Sequence, residues 1–534
     1  MDNEIFDYIV VGGGSSGCPL VNRLSSDPNN QVLLLEAGRK SHFLSRFPVS
    51  FSLLIDNPKA NWCYRSEPEP STNHRAIPIP RGKLLGGSSA INGLVYVRGH
   101  QLDYDTWGQL GNRGWSYNDV LPLFKRIESY DSGESLYRGR AGPLVITQAP
   151  DSNPIYDQLF KAGKELGIPH NMDYNGEDQE GIAKTQTTIQ SGRRMSVDHA
   201  YLRPIRKRNN LSIATNALVT RLLFDGNTCI GVETNIGNKT KVFEARKEVI
   251  VSAGAINSPQ ILELSGVGQP EILEKHNIPL VHALPGVGEN LLDHIAPRIA
   301  FQIKKPGVAY NDSARGIKLF KEILKYAVFN SGFLNLPSAP VIGFFKTRRE
   351  LAAPDIQVHF IPYRVVLDNG KRKLGKEAGM TCTVNQNHPE SRGHVHIKSA
   401  DPRQYPVIHY NFLASLHDQE TLIAGVRFVR ELMTTDAMQE YCGYEIAPGE
   451  ECRSDQEILE FIRNKAETVY HPVGTCKMGT GKESVVDDQL RVHGLQNLRV
   501  ADASIMPTLT SGNTNGPCIM IGEKCADLIM TQTG

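Results

Sequence analysis

Residues 7–36 read DYIVVGGGSSGCPLVNRLSSDPNNQVLLLE. The run YIVV (8–11) is short, β-branched and aromatic, the pattern of a strand buried on both faces. Gly12, Gly14 and Gly17 follow as G-x-G-x-x-G, and QVLLLE ends a second buried strand at Glu36. Strand, glycine turn, helix and strand in this order make a dinucleotide-binding unit. The glycines let the backbone turn tightly and approach a pyrophosphate, with Ser15 and Ser16 in the same turn. The helix that begins there points its N-terminal N–H groups and positive dipole end at that anion. Glu36, about twenty residues beyond the turn, stands where a carboxylate accepts the hydroxyls of an adenosine ribose, with Ala37 next to it. An acid at that position speaks against a 2′-phosphate, hence against NADP.

The local motif leaves FAD and NAD both open. The chain carries one such fingerprint; GVG at 266–268 and at 286–288 lacks a preceding strand. A flavoprotein that also binds a nicotinamide would carry a second. Either the cofactor is NAD, or it is FAD and the second electron carrier is not a pyridine nucleotide.

At 534 residues the chain exceeds the size at which one core stops growing, and two structural domains are expected. Hydrophobic residues make up 40% and charged residues 22%, ordinary for a soluble globular protein. A formal net charge of +1 gives no global electrostatic reason for nucleic acid or an anionic membrane as partner. The nine cysteines (18, 63, 229, 382, 442, 452, 476, 518 and 525) are scattered without a C-x-x-C pair, which suits reduced thiols in a cytoplasmic setting. The start MDNEIFDYIVV has acidic residues before a short apolar run, unlike a signal peptide, and no stretch of 18 apolar residues occurs elsewhere. No transmembrane segment is expected, and peripheral membrane contact stays open.

Residues 81–99, RGKLLGGSSAINGLVYVRG, form a glycine- and serine-rich loop in which bare backbone can come close to a planar or anionic ligand. Residues 254–268, GAINSPQILELSGVG, follow the buried run EVIVSA. Near the C-terminus the chain reads YHPVGTCKMG (470–479), then VVDDQLRVHGLQNLRVADASIMPTLTSGNTNGPCIMIGEKCAD (485–527). With the N-terminal unit, these stretches resemble the signatures of the glucose–methanol–choline (GMC) family of FAD-dependent oxidoreductases. The motif match is closest to its alcohol dehydrogenase and hydroxymethylfurfural-oxidase-like members. The resemblance covers essentially the whole chain.

It implies an α/β fold with a discontinuous, Rossmann-like FAD-binding domain (1–150, 211–304 and 466–534). A substrate domain (151–210 and 305–465) would carry an antiparallel sheet backed by helices, an α+β part. The local sequence is compatible: GHVHIKSADPRQYPVIHYN (393–411) suits a meandering sheet, and SLHDQETLIAGVRFVRELMTTDAM (415–438) an amphipathic helix.

Carried over by position, the resemblance assigns Gly12, Gly14, Ser15, Ser16, Gly17, Glu36 and Ala37 to the ADP half of FAD. Trp62 and Val219 would lie near the adenine. Gly86, Gly87, Ser88, Asn92, Gly93, Leu94 and Val95 would pack against the pyrophosphate and the isoalloxazine. Ala253, Asp502 and Ala503 would touch the middle of the cofactor, with Asn515, Pro517 and Met520 near the flavin ring. Some members attach FAD through a histidine just before the asparagine of the first signature. Ile91 stands there, so the flavin is expected to be non-covalent.

Alcohol oxidation removes a hydride from carbon and a proton from oxygen. Flavin accepts the hydride; the proton needs a base, and histidine, with an ordinary pKa of about 6.5, is largely neutral at cellular pH. In the family pattern the base falls on His471, and the group that holds the substrate oxygen falls on Asn515. A zinc site would need ligands that do not surround His471 in the sequence, and Cys476 lacks a nucleophile elbow. His294 is read as structural. Val469 and Tyr470, just before the base, are expected to line the substrate pocket.

The expected reaction is oxidation of a primary alcohol to an aldehyde. Electrons would pass to O2 or a quinone-type acceptor, in a monomer or dimer. The alternative of the same fold is a lyase that cleaves cyanohydrins with an idle flavin. The tail looks closer to members acting on aliphatic, aryl, furanic or sorbose-like substrates than to choline- or glucose-specific ones. A quaternary ammonium would need a carboxylate and aromatic rings, a cage that the sequence does not reveal.

Overall fold

The computed structural model describes residues 4–150, 152–368 and 371–531. The first three residues, residue 151 at the expected start of the inserted part, and the last three lie outside the described residues.

The strand Glu4–Val11 pairs in parallel with Val32–Glu36 on one side and Lys239–Val251 on the other. Leu211–Thr215 and Leu498–Val500 extend this parallel centre, and Ala217–Asp225 and Thr228–Ile236 add an antiparallel edge. Strands covered on both faces need apolar residues throughout: Ile9, Val10, Leu33, Leu34 and Leu35 are all buried. The helices Gly17–Leu24 and Asn515–Met530 share the core with this sheet through Leu20, Val21, Leu24, Ile519 and Met520.

A second, antiparallel sheet runs in the order Cys442–Ala447, Arg298–Ile303, Gly379–Gln386, Ile356–Ile361, Val341–Phe345, Gly181–Lys184. Alternation along its strands separates a core face from a cavity face. Val358, Phe360, Met380, Cys382 and Val384 pack against the helices Pro154–Glu165 and Leu416–Met433. His359, Ile361, Thr381 and Thr383 point the other way, into a cavity. The expected helix at 415–438 is present as Leu416–Met433, N-capped by Ser415.

Three expectations shift. Arg298–Ile303, placed in the cofactor part by the sequence, belongs to the second sheet. Val197, Ala200, Tyr201, Leu202 and Ile205, placed in the inserted part, pack into the first core, while Tyr64, Ile77 and Ile79 pack into the second. The chain crosses between the cores within stretches of mixed composition, such as YRSEPEPSTNHRAIPI (64–79), where composition gives no signal. The 393–411 stretch forms a separate hairpin (His394–His396 with Val407–His409), not strands of the larger sheet. Pro402 and Pro406 remove backbone donors that a longer ladder needs.

Candidate active site

A continuous cavity of about 610 Å³ is lined from both sheets. Glu36, Ala37, Trp62 and Val219 line one end. Gly12, Gly14, Ser15, Ser16, Gly87, Ser88, Ala253, Asp502 and Ala503 line the middle. Asn92, Gly93, Leu94, Val95, Val469, Tyr470, His471 and Asn515 line the far part.

The end at Glu36 is built by the glycine turn. Its carboxylate accepts the N–H of Gly13 at 3.0 Å and of Gly38 at 2.7 Å, which aims it across the turn. Burial pushes its pKa up to about 7, against the pull of those two N–H groups. A Cβ on Gly14 would meet nothing within 4 Å, so that position faces open space where an anion can approach the backbone. A Cβ on Gly17 would stand 2.0 Å from the Gly12 carbonyl, so Gly17 serves helix packing.

Three helix N-termini converge on the middle. Ser15 Oγ donates to Asn515 Oδ1 at 2.8 Å and Ser16 Oγ to the Cys518 carbonyl at 2.7 Å, tying the start of Gly17–Leu24 to that of Asn515–Met530. Asp502 accepts the Gly254 N–H at 2.8 Å and Ser258 Oγ at 2.6 Å, organising the start of the helix Gly254–Leu264. Donors and dipole ends so placed suit a pyrophosphate. Ile91 lines the same cavity and offers no nucleophile for a covalent attachment.

At the far part His471 is buried. Its backbone N–H donates to Asp293 Oδ1 at 2.8 Å, and its ring Nδ1 lies 3.0 Å from Nδ1 of His294. His294 Nε2 lies 3.0 Å from the Asn387 carbonyl, which can only accept. Burial holds the His294 pKa down to about 4, so the ring is neutral and its single hydrogen is on Nε2. His471 Nδ1 must then carry the hydrogen it donates to His294, which leaves His471 Nε2 with a bare lone pair. The Asn513 amide Nδ2 donates to that Nε2 at 3.0 Å. The neutral state is enforced: burial first, then His294, His359 and Arg81, hold the His471 pKa well below its ordinary value. Tyr470 is left-handed, with φ of 74°, local strain that turns the next side chain into the cavity.

The structure corrects the sequence in three places. Asn513, not Asn515, stands against His471; Asn515 opens the helix and is engaged by Ser15. Pro517 and Met520 do not line the cavity, because the helical period turns Asn515 and Cys518 toward it and these two away. Gly17 and Gly86 lie behind the lining; the Gly86 N–H donates to the Gly13 carbonyl at 2.8 Å, bracing the turn. His294, expected to be structural, touches His471 directly. His359 and Gln357 were missed: Gln357 Nε2 donates to Asn513 Oδ1 at 3.3 Å, and His359 bonds the same side chain. Pro517 was the available signal, since proline favours the first helical turn and so puts Asn515 inside the helix.

Residues 6–296 and 389–522 match two family models, each described as GMC oxidoreductase. The chain belongs to the GMC oxidoreductase family. This GMC oxidoreductase is 44% identical over 535 residues to the oxygen-dependent choline dehydrogenase of Escherichia coli (strain K12), covering 99% of this chain and 96% of that one. Among solved structures it matches pyridoxine 4-oxidase from Mesorbium loti with a TM-score of 0.89 at 30% identity, covering 98% of this chain and 99% of the other. Formate oxidase from Aspergillus oryzae RIB40 matches with a TM-score of 0.93 at 27% identity, covering 100% and 99%. As a GMC oxidoreductase the protein binds FAD and oxidises an alcohol to an aldehyde.

Proposed function

We propose that His471 is the proton acceptor for a primary alcohol and that Asn513 holds the alcohol oxygen. The carrying observation is the 3.0 Å pair of His471 Nε2 and Asn513 Nδ2 on the cavity wall. An alcohol oxygen that displaces the Asn513 N–H from Nε2 gives its hydrogen to that nitrogen and accepts the freed N–H of Nδ2. FAD, when bound, supplies the two-electron acceptor for the hydride that leaves the alcohol carbon. Glu36 would hold the ribose hydroxyls, the turn at Gly14 and Ser15 the pyrophosphate, and the cofactor would stay non-covalent beside Ile91. His294 keeps the His471 hydrogen on Nδ1, so the catalytic nitrogen starts each turnover deprotonated. Proton uptake on Nε2 raises electron density on the alkoxide carbon, which makes it a better hydride donor.

The substrate class follows from the rest of the wall. Tyr310, Phe333, Tyr363 and Tyr470 line it, while its acids, Glu36 and Asp502, are both bound to backbone N–H groups away from His471. Arg81, Arg298 and Lys373 are the cationic side chains of the lining. Such a lining favours an uncharged aryl or aliphatic primary alcohol. Choline is the second reading: the relative from Escherichia coli carries that name, and four rings offer cation–π contacts without a carboxylate.

Benzyl alcohol, hexan-1-ol and choline are added anaerobically to the yellow holoprotein, then assayed with oxygen and with an artificial quinone. Bleaching by benzyl alcohol or hexan-1-ol well above choline supports the first reading; the reverse order supports the second. No bleaching by any primary alcohol overturns both. A cyanohydrin cleaved without bleaching would revive the lyase alternative, which none of the three relatives named above favours.

A further inference from the structure

The helix Gly316–Phe329, GIKLFKEILKYAVF, wears its apolar side outward. Ile317 is 72% exposed, Phe320 58% and Val328 66%, with Ile323 and Leu324 also exposed. Their spacing puts them on one side of the helix, and Lys318, Lys321 and Lys325 form an exposed row along its border. The opposite side anchors the helix: the Tyr326 hydroxyl donates to the Gly192 carbonyl, and the Tyr326 ring meets Phe47 at 6.0 Å. Glu322, the helix's one acid, is turned back to accept the Phe333 N–H at 3.2 Å.

The patch is flanked by further exposed groups next to the anchored side of the helix. Phe43, 70% exposed, packs edge-on against Phe47 at 5.2 Å; the exposed Arg193 stands over the Phe47 ring, and the exposed Arg46 acts with it on Tyr326. It also reaches the cavity. Ala314 and Phe333, just before and after the helix, line the cavity, as does Leu53, itself 63% exposed.

We propose that this helix lies on the surface of an anionic membrane, apolar side in the acyl boundary and lysine row among the headgroups, with the cavity mouth opening onto the lipid. An apolar stripe bordered by lysines is the pattern of an interfacial helix. Charge selects the occupant. A second copy on the same face would bring two lysine rows and two Arg46–Arg193 pairs together, whereas acidic lipids match all five cations. The cavity mouth then meets the phase in which an apolar alcohol or a lipid-dissolved quinone is concentrated.

The test is flotation of the full-length holoenzyme with vesicles of phosphatidylcholine alone and of phosphatidylcholine with phosphatidylglycerol. The protein is expected to float with the acidic vesicles and far less with the neutral ones. Phe320→Glu with Leu324→Glu should leave it in the soluble fraction, with melting temperature and turnover of a water-soluble alcohol unchanged. Each Lys→Gln at 318, 321 and 325 should lower partitioning about fivefold, a series that decides the matter even if the double variant folds poorly. Failure of the wild type to float with acidic vesicles overturns the proposal. So does flotation insensitive to the lysine series, or a solution dimer that Phe320→Glu with Leu324→Glu splits. None of these outcomes depends on the roles given to His471 and Asn513.

Discussion

At the scale of single residues the site is a question of which nitrogen holds a hydrogen. The chain Asn387 carbonyl, His294, His471, Asn513 allows one neutral arrangement, in which His471 Nε2 carries no hydrogen and accepts the Asn513 N–H. His471→Ala should lower turnover by about 10²–10⁴-fold with FAD still bound, read by steady-state rate and flavin absorbance. Asn513→Ala should lower kcat while FAD content holds. Asn515→Ala should instead loosen the tie to Ser15 and lower flavin retention; equal effects from the two would cancel the distinction. Because burial first, then His294, His359 and Arg81, depress the His471 pKa, its ring stays deprotonated as pH falls through 6.5. The acid limb of kcat/KM is therefore expected below 6.5, and a limb at or above that value would contradict a buried neutral base.

At the scale of elements, the N-terminal strand, turn and helix present a carboxylate with a raised pKa. Glu36 is ionised above about 7 and takes a proton as pH falls through that value. A protonated carboxyl accepts hydrogen bonds poorly, so FAD added to the stripped protein should bind more weakly at pH 6 than at pH 8, as read by flavin fluorescence quenching. Glu36→Gln should bind weakly at both and lose the slope. The unit was legible because its residues are contiguous and each glycine answers a local need. Gly17, where a Cβ would stand 2.0 Å from the Gly12 carbonyl oxygen, is the clearest case.

At the scale of the whole molecule, the cavity is bounded by both sheets, and the segments that build each core interleave along the chain. A ligand that spans both cores stabilises them together. Stripping FAD should lower the melting temperature as one cooperative transition; at a ligand concentration about a hundredfold above Kd the stabilisation is about 2.7 kcal/mol. Two resolved transitions in the holoprotein would show that the cores melt independently.

What the sequence determined by itself was the dinucleotide unit, because its residues are contiguous, and the family with its cofactor, because several motifs follow one another in order along the whole chain. The choice between Asn513 and Asn515 was open to it only through the helix start, and motif matching passed over that start. Tertiary structure decided what depends on distant segments meeting: the His294 contact 177 positions away, the crossing points between the cores, and the outward apolar side of Gly316–Phe329. Periodicity says that a helix has two sides. Only packing decides which of them meets the protein.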